Sequence, residues 1–183
     1  MTTPQPSDRA QPDAPHVGEC AGDPALLEAT IAAGFDVRVQ HEPIDIQSAI
    51  MPITRNPNVG AIVNFLGVVR HSGDFDDVVA LELEHYPGMT EQSFSSIVEE
   101  AIARWHLEAV KIVHRVGRVA LGDAVVLVVV AAPHRGAAFD ACEFLMDFLK
   151  AHAPLWKKEI RRDGAVRWVE AKTRDEQSML RWG

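Results

Sequence analysis

The sequence predicts an α+β domain: a mostly antiparallel sheet with helices packed against it. Three observations lead there. Short alternating or wholly apolar runs at 60–70, 78–86 and 124–132 read as strands. Two stretches with helical spacing, 90–105 and 137–153, are interleaved with them. Several strands also follow one another across short turns, as hairpin pairs do.

The elements follow in order. Residues 1–34 open with a Pro-rich, polar stretch lacking any apolar period and read as a disordered tail, with a short helix over Ala25–Ala33. "FDVRVQHEPID" is a strand with Val37 and Val39 on one face, and "IQSAIMPI" a short helix. "GAIVNFLGVVR" is an apolar strand closing on Arg70, and "HSGDFDD" a turn-rich loop. "VVALELEHY" alternates, with Leu81 and Leu83 opposite in direction to Glu82 and Glu84, so one face is buried. Pro87-Gly88 turns the chain. Thr90 suits an N-cap, with Glu91 favourable to the helix dipole. Phe94, Ile97, Val98, Ala101, Ile102 and Trp105 then recur at helical spacing. "AVKIVHRVGRVAL" is a strand interrupted by glycine, and "AVVLVVVAA" a buried strand. In the second helix Ala138, Cys142, Leu145 and Leu149 form the buried stripe, which makes Cys142 a core residue. "VRWVEAK" is a last strand. Residues 35–183 make a single domain.

Composition narrows the function. The 183 residues are 47% hydrophobic and 24% charged, ordinary globular values. No apolar run reaches membrane-span length, and the N-terminus lacks a basic-then-apolar signal, so the expected setting is the cytoplasm. The two cysteines make no disulfide framework, and no His/Cys cluster has zinc spacing; no metal or cofactor is expected. A net charge of −8 disfavours nucleic acid. Yet 150–172 carries Lys150, Lys157, Lys158, Arg161, Arg162, Arg167 and Lys172 against Glu159, Asp163 and Glu170. A local basic site on an acidic protein suits a small anion or a carboxylate chain end.

Two places focus that charge. Asp140, Glu143, Asp147 and Lys150 share one helix face, and the plain reading pairs Lys150 with Asp147 on a solvated surface. Pro154 stops the helix near Ala153, however, and Leu155 and Trp156 are apolar anchors that turn Lys157 back towards Lys150. Two ammonium groups held close disfavour each other's protonation and yield a usable amine. At the helix's other end His134 and Arg135 join unpaired N–H groups, which suits a phosphate; the plain reading there is an exposed cap. Arg70 ends a strand, where arginines are commonly surface residues. His85 and Tyr86 either face a site or sit buried in a hydrogen-bonded role.

"GAIVNFLGVVR", "LELEHYPGMTE", "RWHLEAVKIVHRVGRVALGD", "AAPHRGAAFDACEFLMDFLKAHAPLWKKE" and "RWVEAK" together resemble the large, catalytic subunit of molybdopterin synthase, over about residues 35–182. The resemblance implies an α/β-hammerhead type of α+β fold. It also implies sulfur transfer from the thiocarboxylated Gly-Gly terminus of a small ubiquitin-like subunit to cyclic pyranopterin monophosphate, forming the dithiolene of molybdopterin. It implies a central dimer of large subunits within a heterotetramer, with no nucleic-acid or membrane partner. Carried over by motif, Lys150 and Lys157 fall on the family's catalytic lysines. Arg70, His134, Arg135, Lys158 and Glu159 fall on substrate-binding positions, and Val68 and Val69 on weaker contacts. Two other readings use the same cations: a non-catalytic module that captures a carboxylate tail, and a lysine-dependent enzyme acting on acyl or aldehyde groups.

Overall fold

The computed structural model describes residues 34–73, 76–169, 178 and 180–182. The expected tail and Ala25–Ala33 helix lie outside them, as does the end of "VRWVEAK". Eight strands and three helices are described. They are β1 (Phe35–Gln40), α1 (Ile46–Ile50), β2 (Ala61–Val68), β3 (Val78–His85), α2 (Met89–Arg104), β4 (Ala109–Arg115), β5 (Gly117–Ala120), β6 (Ala124–Ala132), α3 (Arg135–Ala151), β7 (Leu155–Arg161) and β8 (Val166–Trp168). The class is α+β, but the strands form two sheets, not one. One has the order β1-β4-β6-β2, the other β5-β3-β7-β8. Only β1–β4 is a parallel pair.

β6 is apolar at every position because both of its faces are covered. Val126, Val128, Val130 and Ala132 join Phe94, Ile97, Phe144 and Leu145 beneath α2 and α3. Leu127, Val129 and Ala131 pack on the opposite face with Ile53, against Ile46, Ala49 and Ile50 of the α1 region. In the second sheet Leu83 and Val119 close on Val69. The stretch 109–121 is not one interrupted strand: β4 belongs to the first sheet and β5 to the second. Gly117 makes the switch at φ 71°, and a Cβ there would stand 2.8 Å from His41 Nδ1.

Helix α2 starts earlier than expected. Gly88 (φ 82°) is the N-cap, and its N–H donates to Glu91 Oε2 at 2.7 Å. Thr90 lies inside the helix, fully buried, its hydroxyl within reach of the Tyr86 (3.2 Å) and Pro154 (3.3 Å) carbonyls. The second contact ties the start of α2 to the turn after α3. Among the described residues no helix is long and apolar enough to cross a membrane.

Candidate active site

The site forms where α3 ends. Lys150 occupies the last turn, and His152 caps the helix with its N–H on the Phe148 carbonyl at 2.8 Å. Leu155 N–H donates to the Ala153 carbonyl at 2.7 Å, so the chain reverses within the Pro154 turn and enters β7. That strand pairs antiparallel with β3, placing Leu155 opposite His85, Lys157 opposite Leu83 and Glu159 opposite Leu81. Directly opposed residues share a face, so Lys157 and Glu159 point inward with the buried Leu83. Trp156 and Lys158 point outward.

The strand β4 contributes His114. It lies on the helix-facing side of β4 with Val110 and Ile112, and its ring centroid is 6.2 Å from that of Phe94. Only 9% of the residue is exposed, and Nδ1 is 2.8 Å from the Arg115 carbonyl. Its pKa is lowered to about 4, first by burial. The Arg115 hydrogen bond opposes that shift, while Lys150, Lys157 and His85 add to it through their charges. The charges of Lys150 on α3 and Lys157 on β7 are thus both felt at one buried imidazole. His85, from β3, keeps a buried Nδ1 with no partner among the described residues.

Arg70 reaches the same end of the molecule. Val68 pairs with Ala124 at the start of β6, and Val69 N–H donates to the Asp123 carbonyl at 3.0 Å. The loop then passes β7 so closely that a Cβ on Gly73 would overlap the Glu159 carboxylate. Glu159 itself is buried. Arg70 is exposed. Val69 is core while Val68 is exposed.

His134 and Arg135 lie elsewhere. They start α3 and line an open pocket with Gly60, Pro133 and Gly136. Arg135 is fifteen residues before Lys150 on one helix, about 22 Å at ~1.5 Å per residue. One chain does not unite these two cationic ends. Lys158 also stands apart from Lys157: it pairs with Glu84 and lies 4.2 Å over the Trp168 ring on the outer face. Tyr86 is exposed on that side, edge-on to Trp156 at 5.0 Å.

The plain pairing of Lys150 with Asp147 is not formed. Asp147 instead accepts from Arg181 Nε at 3.0 Å and Trp182 Nε1 at 2.8 Å, and Glu143 binds Arg181 at 2.7 Å. Lys150 makes no ion pair among the described residues. Cys142 is buried, its thiol pushed up to about 11 by desolvation and then by Glu143, which leaves it inert. Sequence reasoning passed over His114. Its signal was a polar residue on the otherwise apolar helix-facing side of β4, beside Val110 and Ile112.

Fold and site define a class: an α+β protein with two sheets, carrying one lysine in the last turn of α3 and another on the strand that follows it. Comparison with known proteins makes the class specific. Residues 39–152 match the family described as MoaE protein, and the chain belongs to that family. It is 47% identical over 148 residues to a molybdopterin synthase catalytic subunit of Ralstonia nicotianae, covering 80% of this chain and 84% of that one. A Vibrio cholerae protein of the same name is 45% identical, with 80% and 97% covered. Among solved structures, the molybdopterin cofactor biosynthesis protein E of Burkholderia multivorans superposes with a TM-score of 0.68 at 45% identity, over 81% of this chain and 96% of that one.

Proposed function

We propose that the chain is the catalytic subunit of a molybdopterin synthase. It moves sulfur from the thiocarboxylated Gly-Gly terminus of a small ubiquitin-like carrier onto cyclic pyranopterin monophosphate, forming the dithiolene. The match of residues 39–152 to the MoaE family, with relatives named molybdopterin synthase catalytic subunit at 45% and 47% identity, carries this reading most directly. A thiocarboxylate and a phosphate are both anions, and both gain from fixed cations in a partly desolvated cleft. Lys150, the more exposed amine, acts on the adduct between carrier and substrate, as acid and base or by transient amine participation. Lys157, half-buried on β7, stabilises the negative charge that develops. Arg70, on the loop at the same end, holds phosphate.

His134 and Arg135 enter through a second copy. They are about 22 Å from Lys150 along α3. A symmetric dimer is the arrangement that sets the His-Arg turn of one protomer beside the lysine end of the other. The chain works in the cytoplasm. Reconstitution tests the whole reading: the purified chain, a carrier bearing a Gly-Gly thiocarboxylate, and the cyclic pterin substrate should yield molybdopterin. A carrier ending in a plain carboxylate should yield none. No product from a competent carrier would overturn the assignment.

A further inference from the structure

The first sheet's other face, turned towards α1 and away from α3, holds a charge that the reaction above does not use. Over β6 that face is dry, built from Leu127, Val129 and Ala131. Over β4 it is interrupted by Lys111, which stands between Ala109 and Val113 and pairs across to Val129. Lys111 is only 6% exposed. It makes no hydrogen bond or ion pair among the described residues. Buried ammonium groups are ordinarily paired, because stripping water from a charge is costly. Its partner in register, Asp36 of β1, is taken by Arg38 Nη2 at 2.7 Å. The ammonium is nonetheless not one of the polar atoms sealed from solvent. The space Lys111 borders is a cavity of about 140 Å³ between the β1–β4 face and residues 43–49.

The lining is of two kinds. Pro43, Ile44, Ala49 and Val113 are apolar. The polar groups are mostly engaged already. Asp45 accepts from the Ser48 N–H at 3.0 Å and its hydroxyl at 2.7 Å, and Gln40 gives its amide N–H to the Glu42 and Pro43 carbonyls. Lys111 is the buried lining side chain with donors to give and no acceptor among the described residues. A single negative charge on a small aliphatic body satisfies both kinds of lining. A doubly charged anion would also meet Asp36 and Asp45. The volume suits a molecule of about six non-hydrogen atoms, since an apolar cavity of ~150 Å³ takes up benzene. We propose that this cavity binds a short-chain aliphatic carboxylate, with its carboxylate on the Lys111 ammonium and its alkyl chain against Ile44, Ala49 and Val113. The site lies on the sheet face opposite α3, and it stands whether or not the chain is a synthase.

Butyrate is the probe, titrated into the full chain with carbon-13-labelled lysine and followed by NMR. The Lys111 Cε resonance, assigned by its loss in Lys111→Met, should shift saturably with a Kd in the millimolar range. Butyramide has the same shape without the charge and should bind at least about tenfold more weakly, as should inorganic phosphate. Lys111→Met should keep a Tm near the parent's, because its stem covers the same apolar surface. Butyrate should no longer move the Ile44 and Ser48 amide resonances of that variant. Ala49→Leu keeps the amine but fills the apolar side, and should weaken butyrate at least about tenfold; it decides the matter if Lys111→Met fails to fold. No saturable shift up to about 50 mM butyrate overturns the proposal. So do undiminished binding in either variant, equal binding of butyramide, and a preference for phosphate. A Lys111 resonance that ignores butyrate but moves in Asp36→Asn also overturns it, since β1 would then supply the missing charge internally.

Discussion

At the scale of single residues, burial and not sequence identity sets the chemistry. His114 and Cys142 are both shifted by desolvation, in opposite directions, because one becomes charged by gaining a proton and the other by losing one. A histidine whose pKa drops to about 4 on folding binds protons more readily when unfolded. Its contribution is therefore complete above pH 6.5 and lost as pH falls towards 4. The full loss is about 3 kcal/mol, from ~1.4 kcal/mol per pH unit. Urea unfolding at pH 7 and pH 4.5 should show most of that difference in the parent and much less of it in His114→Phe. Cys142 should resist thiol reagents at pH 8 until the chain unfolds, read as labelling against denaturant. Lys150→Arg separates charge from proton or amine chemistry. Guanidinium keeps the charge but does neither task, so turnover should stay at least about 100-fold down. Recovery by arginine would reduce Lys150 to an electrostatic role.

At the scale of elements, β7 explains both what the sequence reveals and what it hides. The strand β6 and the helices α2 and α3 are legible because their buried faces are apolar with the period each element imposes. β7 has no such period. Its inward residues Lys157 and Glu159 are polar, and its outward residues include Trp156 and Ile160. Leu155 shares that inward face, so it mixes apolar and polar residues, the polar ones being those the proposed site uses. The residues that conceal the strand are thus the ones the proposed function calls on. The switch at Gly117 was visible as a glycine, but its meaning, a passage between sheets, depends on partners distant in sequence. Thr90 looked like a cap because Thr-Glu suits a first turn; Gly88 took the role since Glu91 reaches back to its N–H. Packing under α3 also fixes the direction of Lys150. Leu145, five residues earlier, is fully buried. Leu145→Ala should cost about 2–5 kcal/mol by denaturant titration and weaken turnover beyond what the lost fold explains.

At the scale of the whole molecule, the two cationic ends of α3 pose the organising problem. Motif order put His134, Arg135, Lys150 and Lys157 together, and counting residues on a straight helix already separates them. The proposed dimer would resolve the separation, and mixing tests it. Lys150→Ala and Arg135→Ala chains, each inactive alone, should regain about a quarter of parental activity when co-assembled: half the dimers are mixed, and each of those has one intact site. No recovery in verified mixed dimers would place each site within one chain. The central claim is that the Lys150 and Lys157 amines perform the transfer. It is tested most directly by single-turnover assay of Lys150→Ala with thiocarboxylated carrier and cyclic pterin, alongside a measurement of carrier binding. The account predicts carrier affinity close to that of the parent and no dithiolene formed. Dithiolene formation at the parental rate would contradict it.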